Sequence, residues 1–239
     1  MSFHLPFGKP YVPAHFIRRL NRFLVEVSVK GKAGPVLAHL HDPGRLKELL
    51  LPDALLYLEP ADKTSGPRKT AFTAALVKSD DVLVSINSIL PNRFVEACLR
   101  AGAIHEFRDY TLASREVRHG RSRFDFHLMG AGIDILLEVK SVTLVQEGSA
   151  LFPDAPTTRG TRHLRELLAA RHQGYCGSVL FIVQRDDACE LRPHRIIDPV
   201  FASTLQDVMN QGIEVVAYTS RLSLTGITLG RRIPLNFPG

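Results

Sequence analysis

The segment 133–144 has apolar residues on both faces of a predicted strand, yet it contains a glutamate and a lysine. A strand that is apolar on both faces belongs in the middle of a sheet covered on both sides. Because residues two apart on a strand point the same way, Glu138 and Lys140 share one face. Burying such charges costs several kcal/mol per ion unless they pair or bind a cation. The segment therefore predicts a layered α/β domain with a charged site inside it.

The pattern after Pro91 supports that architecture, because hydrophobic strands alternate with amphipathic helices. The predicted helices cover residues 94–101, 161–172 and 199–211. The predicted strands cover residues 111–117, 123–129, 133–144, 178–184 and 213–218, with a closing hairpin over 221–237. We expect a central mixed sheet flanked by helices.

The chain before this region resembles a small β-barrel instead. Strands are predicted over 23–29, 36–40, 54–58, 70–77 and 82–87, and a short helix over 45–51. Five short strands in so few residues are typical of an OB-like barrel. Such barrels stack bases on aromatic side chains, and Tyr57, Phe72 and Lys69 could do so here, although barrel aromatics also serve as core. The predicted domains are therefore an OB-like barrel over 1–85 and an α/β domain over 86–239, giving an α+β protein overall.

Composition excludes several classes of protein. The 239 residues carry 30 Lys and Arg against 24 Asp and Glu, and 45% of them are hydrophobic, which rules out a disordered tail or a fibrous repeat. The net charge of +6 fits a polyanionic partner as well as ordinary solubility. No apolar run reaches the ~18 residues of a membrane span, and no secretory signal is present. Three cysteines without a CxxC pair indicate reduced thiols, so we expect a cytoplasmic protein without a zinc site.

Asp125 is the third charged residue of the predicted site. Apolar residues at 124, 126 and 128 are expected to share one face of their strand, which puts Asp125 on the other. A hairpin around residues 130–132 would bring Asp125 beside Glu138 and Lys140. Two carboxylates repel each other, and Mg²⁺ or Mn²⁺ held through oxygen ligands removes that penalty. In phosphodiester hydrolysis, the lysine of such a trio orients water or neutralises developing charge.

The alternative interpretation is an exposed ion pair of Glu138 with Lys140, with Asp125 as an edge charge. Two features oppose it. The flanks of Glu138 are too apolar for an edge strand, and Lys140 is the only lysine after Lys78. A compact ammonium in a region that otherwise uses arginine suggests a chemical role.

Two basic clusters accompany the trio and are candidate phosphate contacts. The first cluster consists of Arg115, Arg118, Arg121 and Arg123, with His119 among them. The second consists of Arg159, Arg162 and His163 at the start of a predicted helix, where cations are unfavourable for the helix alone and a bound phosphate would resolve the conflict. Both clusters could instead be solvated surface, with Arg162 paired to Glu166.

The spacing Asp-x12-Glu-Val-Lys resembles the PD-(D/E)xK nuclease superfamily. Longer blocks in the same order resemble the sugar fermentation stimulation protein A (SfsA) family over nearly the whole chain. These blocks are Arg22-Phe23-Leu24, His41-Asp42-Pro43-Gly44-Arg45-Leu46, Ser122-Arg123-Phe124-Asp125-Phe126, Glu138-Val139-Lys140-Ser141-Val142-Thr143-Leu144, Phe152-Pro153-Asp154-Ala155, and Arg159-Gly160 followed by His163-Leu164-Arg165-Glu166-Leu167. The resemblance implies an N-terminal OB-like domain, a C-terminal nuclease-like domain and sequence-independent DNA binding.

The chain departs from the family pattern at two places. Asp42 stands where the family's turn often has Asn, which changes a charge and keeps the turn. The family commonly carries a helix glutamate after Asn-Arg, and Glu96 lies one residue early, with Ala97 at the expected place. Whether Glu96 joins the site stays open.

The sequence therefore predicts a sequence-independent DNA-binding protein of the SfsA family, with a regulatory role as one option. Asp125 and Glu138 are the predicted metal ligands, and these two with Lys140 are the predicted catalytic residues. The first alternative is an active Mg²⁺-dependent nuclease, and the second is a non-enzymatic interaction scaffold. DNA is the expected partner, RNA stays open, and the sequence does not reveal the oligomeric state.

Overall fold

The structure is a computed structural model that describes residues 3–61, 70–130 and 132–237. Its strands are β1 (His4–Pro6), β2 (Val12–Asn21), β3 (Leu24–Val29), β4 (Val36–Leu40), β5 (Leu55–Pro60), β6 (Phe72–Ser79), β7 (Val82–Ser85), β8 (Thr111–His119), β9 (Ser122–Gly130), β10 (Ile133–Val142), β11 (Val145–Gln146), β12 (Ser149–Phe152), β13 (Tyr175–Val183), β14 (Glu190–Pro193), β15 (Glu214–Ser223) and β16 (Gly226–Arg232). Its helices are α1 (Leu90–Arg100), α2 (Thr158–Arg171) and α3 (Pro199–Asn210), with a 3-10 turn at His105–Phe107.

Strands β2 to β6 close into a barrel. Their order is β4-β3-β2-β5-β6, and β4 also pairs in parallel with β6, which joins the two ends. Strand β7 pairs antiparallel with the end of β6. Alternating residues such as Val25 and Val27 fill the interior, as the period of two along the sequence predicts. The prediction of an OB-like barrel is confirmed.

Three details of the barrel differ from expectation. Strand β2 was not predicted, because its outward positions and Pro13 hide the alternation. The predicted helix over 45–51 is instead a turn: Leu46 has a φ of 49° and is fully buried, which breaks the helical run. Tyr57 and Phe72 pack against apolar cores, while Lys69 and the predicted loop 62–68 lie outside the described residues.

The second sheet is mixed and has seven strands in the order β1-β16-β15-β13-β10-β9-β8. Strands β10, β13 and β15 run parallel, and the remaining pairs are antiparallel. Helices α2 and α3 cover one face, and α1 covers the other together with Leu76 of the barrel. The predicted mixed sheet flanked by helices is confirmed, and β10 lies inside it.

Strand β1 belongs to this large sheet, since His4 to Pro6 pair with Thr228 to Gly226 of β16. A small sheet of β11, β12 and β14 lies at the end of β10. The division into domains over 1–85 and 86–239 stays a prediction.

Candidate functional site

The site begins where the hairpin of β9 and β10 opens. The ladder runs from Gly130 and Ile133 to Phe126 and Leu137. Beyond Leu137, the backbone N–H of Val139 donates to Asp125 Oδ2 at 2.8 Å. A side-chain carboxylate thus takes the place of a strand partner, which brings Asp125 against the stretch of β10 that carries Glu138.

Glu138 is buried and has two different carboxylate oxygens. Its Oε1 accepts from Lys140 Nζ at 2.5 Å and from His163 Nδ1 at 2.6 Å. Its Oε2 is buried without a hydrogen-bond partner among the described residues. Burial raises the pKa of Glu138, but the charge of Lys140 and the contact with His163 outweigh burial and hold the pKa below its usual value. Glu138 is therefore ionised at neutral pH, and one oxygen has no donor.

Asp125 lies beside Glu138, but its pKa is shifted in the opposite direction. Its Oδ1 accepts from Asn92 Nδ2 at 2.5 Å. Burial and the neighbouring charge of Glu138 raise the pKa of Asp125 to about 6, against the lowering effects of the Val139 N–H, Lys140 and Asn92. The two carboxylates share one site and have pKa values shifted in opposite directions.

His163 holds Glu138 in position. It is 1% exposed, and its Nε2 lies 3.3 Å from Nε of Arg159, which is always a donor. Nε2 therefore accepts, and Nδ1 carries the proton that it donates to Glu138. The prediction that His163 contacts a phosphate does not agree with this burial.

Phe124 packs edge-on against the His163 ring, with centroids 5.8 Å apart. Phe124 belongs to the core beneath α2 and α3, whereas Phe126 and Leu128 belong to the core on the α1 side. The expectation that these three share a face is therefore wrong. The change of face falls at Asp125, where the ladder to β10 ends.

The start of α2 fixes His163. Thr157 caps the helix, with its Oγ1 accepting from the Gly160 N–H at 3.0 Å. The Thr157 N–H donates to Asp198 Oδ2 at 2.7 Å, and Asp198 also caps α3 through the Phe201 N–H at 2.9 Å. One buried carboxylate thus joins the starts of both helices.

The predicted arginines divide into two groups. Arg115 pairs with Glu96 at 2.7 Å, and Arg123 pairs with Glu116 at 2.6 Å. All six are exposed, and the other four are Arg118, Arg121, Arg159 and Arg162. Of these, Arg159 also contacts His163, as described above.

Glu96 faces arginines, since it pairs with both Arg100 and Arg115. It does not enter the carboxylate site. Asn92 enters instead, one helical turn earlier on the same face of α1. Sequence reasoning missed Asn92, and its spacing of four from Glu96 is the signal that could have identified it.

A cavity of about 190 Å³ lies between the barrel and the large sheet, at the end of β10. Its lining includes Asp42 and Ser88 on one side and Ser141, Thr143 and Asp154 on the other. Asp154 Oδ2 accepts from the backbone N–H of Arg45 at 3.1 Å, so the two parts of the molecule meet here.

The donor groups of the site decide which metal ion it could hold. Within the described ranges, no group of three or more His, Cys, Asp and Glu side chains is arranged to hold one. Two adjacent carboxylates with one unpartnered buried oxygen nevertheless fit a hard divalent cation that keeps several waters. In the same ranges, no helix is both long and apolar enough to cross a membrane.

The barrel and the helix-flanked mixed sheet with its Asp, Glu and Lys define a mixed α/β protein that joins an OB-like barrel to a sheet with a buried charged site. The chain belongs to the SfsA family: residues 17–86 match the SfsA N-terminal OB domain, and residues 89–226 match the sugar fermentation stimulation protein RE domain.

Relatives cover nearly the whole chain. The sugar fermentation stimulation protein homolog of Moorella thermoacetica is 46% identical over 91% of this chain and 93% of its own. The homolog of Desulforamulus reducens is 44% identical over 94% of this chain and 92% of its own. The structure of Pyrococcus furiosus SfsA in complex with Ca²⁺ is 25% identical over 99% of each chain, with a TM-score of 0.89.

Proposed function

We propose that this protein binds DNA without sequence preference and hydrolyses phosphodiester bonds with a divalent cation. The observation that carries the proposal is the buried meeting of Asp125, Glu138 and Lys140, with one Glu138 oxygen unpartnered. Leaving a buried carboxylate oxygen without a donor is costly, and a cation would satisfy it. The structure of the Pyrococcus furiosus relative was solved in complex with Ca²⁺, which supports binding of a divalent ion in this family.

Each residue has a distinct role in this proposal. Asp125 and Glu138 would hold Mg²⁺ or Mn²⁺, which when bound polarises the phosphate and lowers the pKa of water. Lys140 Nζ, now 2.5 Å from Glu138, orients the attacking water and offsets negative charge at the phosphate. His163 and Asn92 keep the two carboxylates in their orientations.

The exposed arginines would contact the phosphate backbone. Arg118, Arg121, Arg159 and Arg162 are accessible for this role, and Arg115 and Arg123 would first have to leave their glutamates. Contacts of this kind position DNA without reading its sequence. The cysteines Cys98, Cys176 and Cys189 are free, which fits a cytoplasmic location.

The test incubates the full chain with single-stranded and duplex DNA in Mg²⁺, Mn²⁺ or EDTA. Metal-dependent cutting should fall at least about a hundredfold in Asp125→Ala and in Lys140→Met, while mobility-shift binding is retained. Arg195→Ala is the matched control, because Arg195 is exposed near α3 and should leave cutting unchanged. Cutting that survives both site substitutions would contradict the proposal.

Binding without cleavage is the second candidate. The observation that favours it is that both Asp125 oxygens already have donors, from Asn92 and Val139. No cutting of any DNA or RNA substrate, together with binding that weakens steeply with salt, would support this candidate. Binding that is insensitive to salt would count against both and leave an interaction scaffold.

A further inference from the structure

Three aromatic rings form a row on the outside of the barrel. Phe23 precedes β3, His39 lies on β4, and His41 follows β4. The rings of Phe23 and His39 are nearly parallel, at 15° with centroids 6.4 Å apart. The His39 and His41 rings meet edge to face at 4.4 Å. We call Phe23, His39 and His41 the stacking row.

Phe23 is the exposed end of the stacking row, whereas His39 and His41 are half-buried. The neighbouring Ala38 fills the interior with 0% exposure, while Phe23 is 48% exposed. Leu20 and Leu37 on the same side of the barrel are 42% and 40% exposed. An exposed apolar surface of this kind marks a site of interaction.

The charge around the stacking row is suited to an anionic partner. The Arg22 guanidinium lies 5.8 Å from the centroid of the Phe23 ring, within the range of a cation–π contact. Arg45 and Lys47 are exposed on the turn that follows His41. Aromatic rings beside basic groups are the combination with which barrels bind single strands.

The stacking row is connected to the junction between the barrel and the large sheet. The carbonyl of His41 accepts from Ser88 Oγ at 2.9 Å, and Ser88 lines the 190 Å³ cavity. Asp42, which follows His41, lines the same cavity, as does Ser141, which follows Lys140. The stacking row is therefore hydrogen-bonded to the junction between the barrel and the large sheet.

We propose that the stacking row binds the bases of single-stranded DNA. This inference rests on the proposed function and adds the form of the substrate. The faces of bases in a duplex are covered by their neighbours, whereas an unpaired base can lie on Phe23 or His39. Aromatic stacking also tolerates any base, which agrees with binding without sequence preference.

The experiment measures fluorescence anisotropy of a labelled oligomer of about twelve thymidines, within the span of one barrel. Phe23→Leu keeps an apolar side chain and removes the ring, so we expect affinity to fall about tenfold. Phe23→Trp keeps a ring and should stay within about twofold of the parent. Ile196→Ala is the control, because Ile196 is 91% exposed near α3. The same strand annealed to its complement should bind more weakly, and Phe23→Leu should barely change that binding.

A second readout reports stacking itself. 2-Aminopurine within the oligomer loses fluorescence when it is stacked. The parent should show this quenching, Phe23→Trp should retain it, and Phe23→Leu should lose it. Equal loss of single-strand and duplex affinity in Phe23→Leu would overturn the inference, as would unchanged affinity for the single strand. Tighter binding of the matching RNA would overturn the choice of DNA.

Failure here is distinguishable from failure of the proposed function. If Phe23→Leu binds normally while metal-dependent cutting persists, the stacking row is excluded and the nuclease proposal stands. If cutting is never observed while Phe23→Leu loses single-strand affinity, the stacking row stands and only binding remains.

Discussion

Glu138 shows how one buried residue can be made to accept a ligand. Two donors, Lys140 and His163, converge on a single oxygen, and no described donor reaches the other. The donors keep the carboxylate ionised, and their shared side fixes which oxygen is left open. A symmetric arrangement would have satisfied both oxygens and closed the site.

The raised pKa of Asp125 leads to a prediction about stability. Because the folded pKa of Asp125 is about 6 and its ordinary pKa is 3.8, the folded state holds a proton between these values that the unfolded state has lost. Stability therefore falls as pH rises through this window, and the loss persists above it. Asp125→Asn removes the charge, so in EDTA we expect the variant to be more stable than the parent by about 1 kcal/mol at pH 8.

Urea denaturation at pH 8 and at pH 4 measures this difference. The advantage of Asp125→Asn should shrink as the pH approaches 4. Asp134→Asn serves as the control, because Asp134 lies on β10 outside the site and its ion pair with His127 is long, at 3.5 Å. An equal gain at both pH values would show that burial of the Asp125 charge is not the cause.

A second prediction concerns His163. His163→Phe fills the space but removes the donor to Glu138, so we expect a loss of about 2 kcal/mol in the free energy of unfolding. His163→Gln can still donate and should lose about half as much. Thermal or urea denaturation at pH 7 gives both values.

Metal affinity separates positioning by His163 from simple packing. Mn²⁺ titration by calorimetry should show weaker binding in His163→Phe, with partial recovery in His163→Gln. If both variants bind Mn²⁺ as the parent does, His163 has a packing role only.

The charged trio was predictable from sequence because charges inside an apolar strand have few explanations. The partners of the trio were not. Asn92 and His163 come from helices on opposite faces of the sheet, and no local pattern reports which helix residue meets a given strand residue. His163 could be identified as important from its position beside arginines, but its burial depends on how α2 docks.

At the scale of elements, Asp198 joins two helices. It is 7% exposed and accepts from the backbone of both Thr157 and Phe201. Gly160 at the same junction cannot carry a side chain without crowding, since a Cβ there would lie 2.9 Å from Thr157 and 3.2 Å from Phe201. The start of α2, and with it His163, is thus fixed by its contact with α3.

Asp198→Ala removes the α3 cap and leaves a buried N–H unsatisfied. We expect a loss of about 2 to 3 kcal/mol in the free energy of unfolding by urea. Asp198→Asn keeps one acceptor and should lose about half of that. Asp207→Ala is the control, because Asp207 lies late in α3 away from its start. If Asp198→Ala lowers the free energy of unfolding no more than Asp207→Ala does, Asp198 does not stabilise the starts of α2 and α3.

Periodicity predicted most of the strands and helices to within a few residues. It failed where the residue types favour one secondary structure and the backbone adopts another. The turn at 45–51 has helical composition, but the buried Leu46 takes a left-handed φ that sequence does not report. Strand β1 is three residues long and is formed only because β16 offers an edge.

At the scale of the whole molecule, the barrel and the large sheet share apolar contacts. Leu76 of β6 is fully buried and belongs to the same core as Phe94 of α1 and Leu137 of β10. Leu56 is equally buried but belongs to the core of the barrel alone. Loss of packing at Leu76 should therefore destabilise both the barrel and the large sheet.

Leu76→Ala should cost about 2 to 5 kcal/mol. Native-state hydrogen exchange, read by mass spectrometry, should show faster exchange in both β3 and α1. Leu56→Ala should speed exchange in β3 more than in α1. Exchange that accelerates only in β3 for both variants would mean that the two parts open independently.

The pairing of β1 with β16 also limits when the large sheet can be completed during synthesis of the chain. His4 and Thr228 lie 224 residues apart, so β1 cannot pair until β16 has been synthesised. Until β16 emerges, β1 and β15 both present unpaired backbone to other chains in the cell. Translation that stalls shortly before Gly226 would therefore release a chain whose sheet edge is open to aggregation.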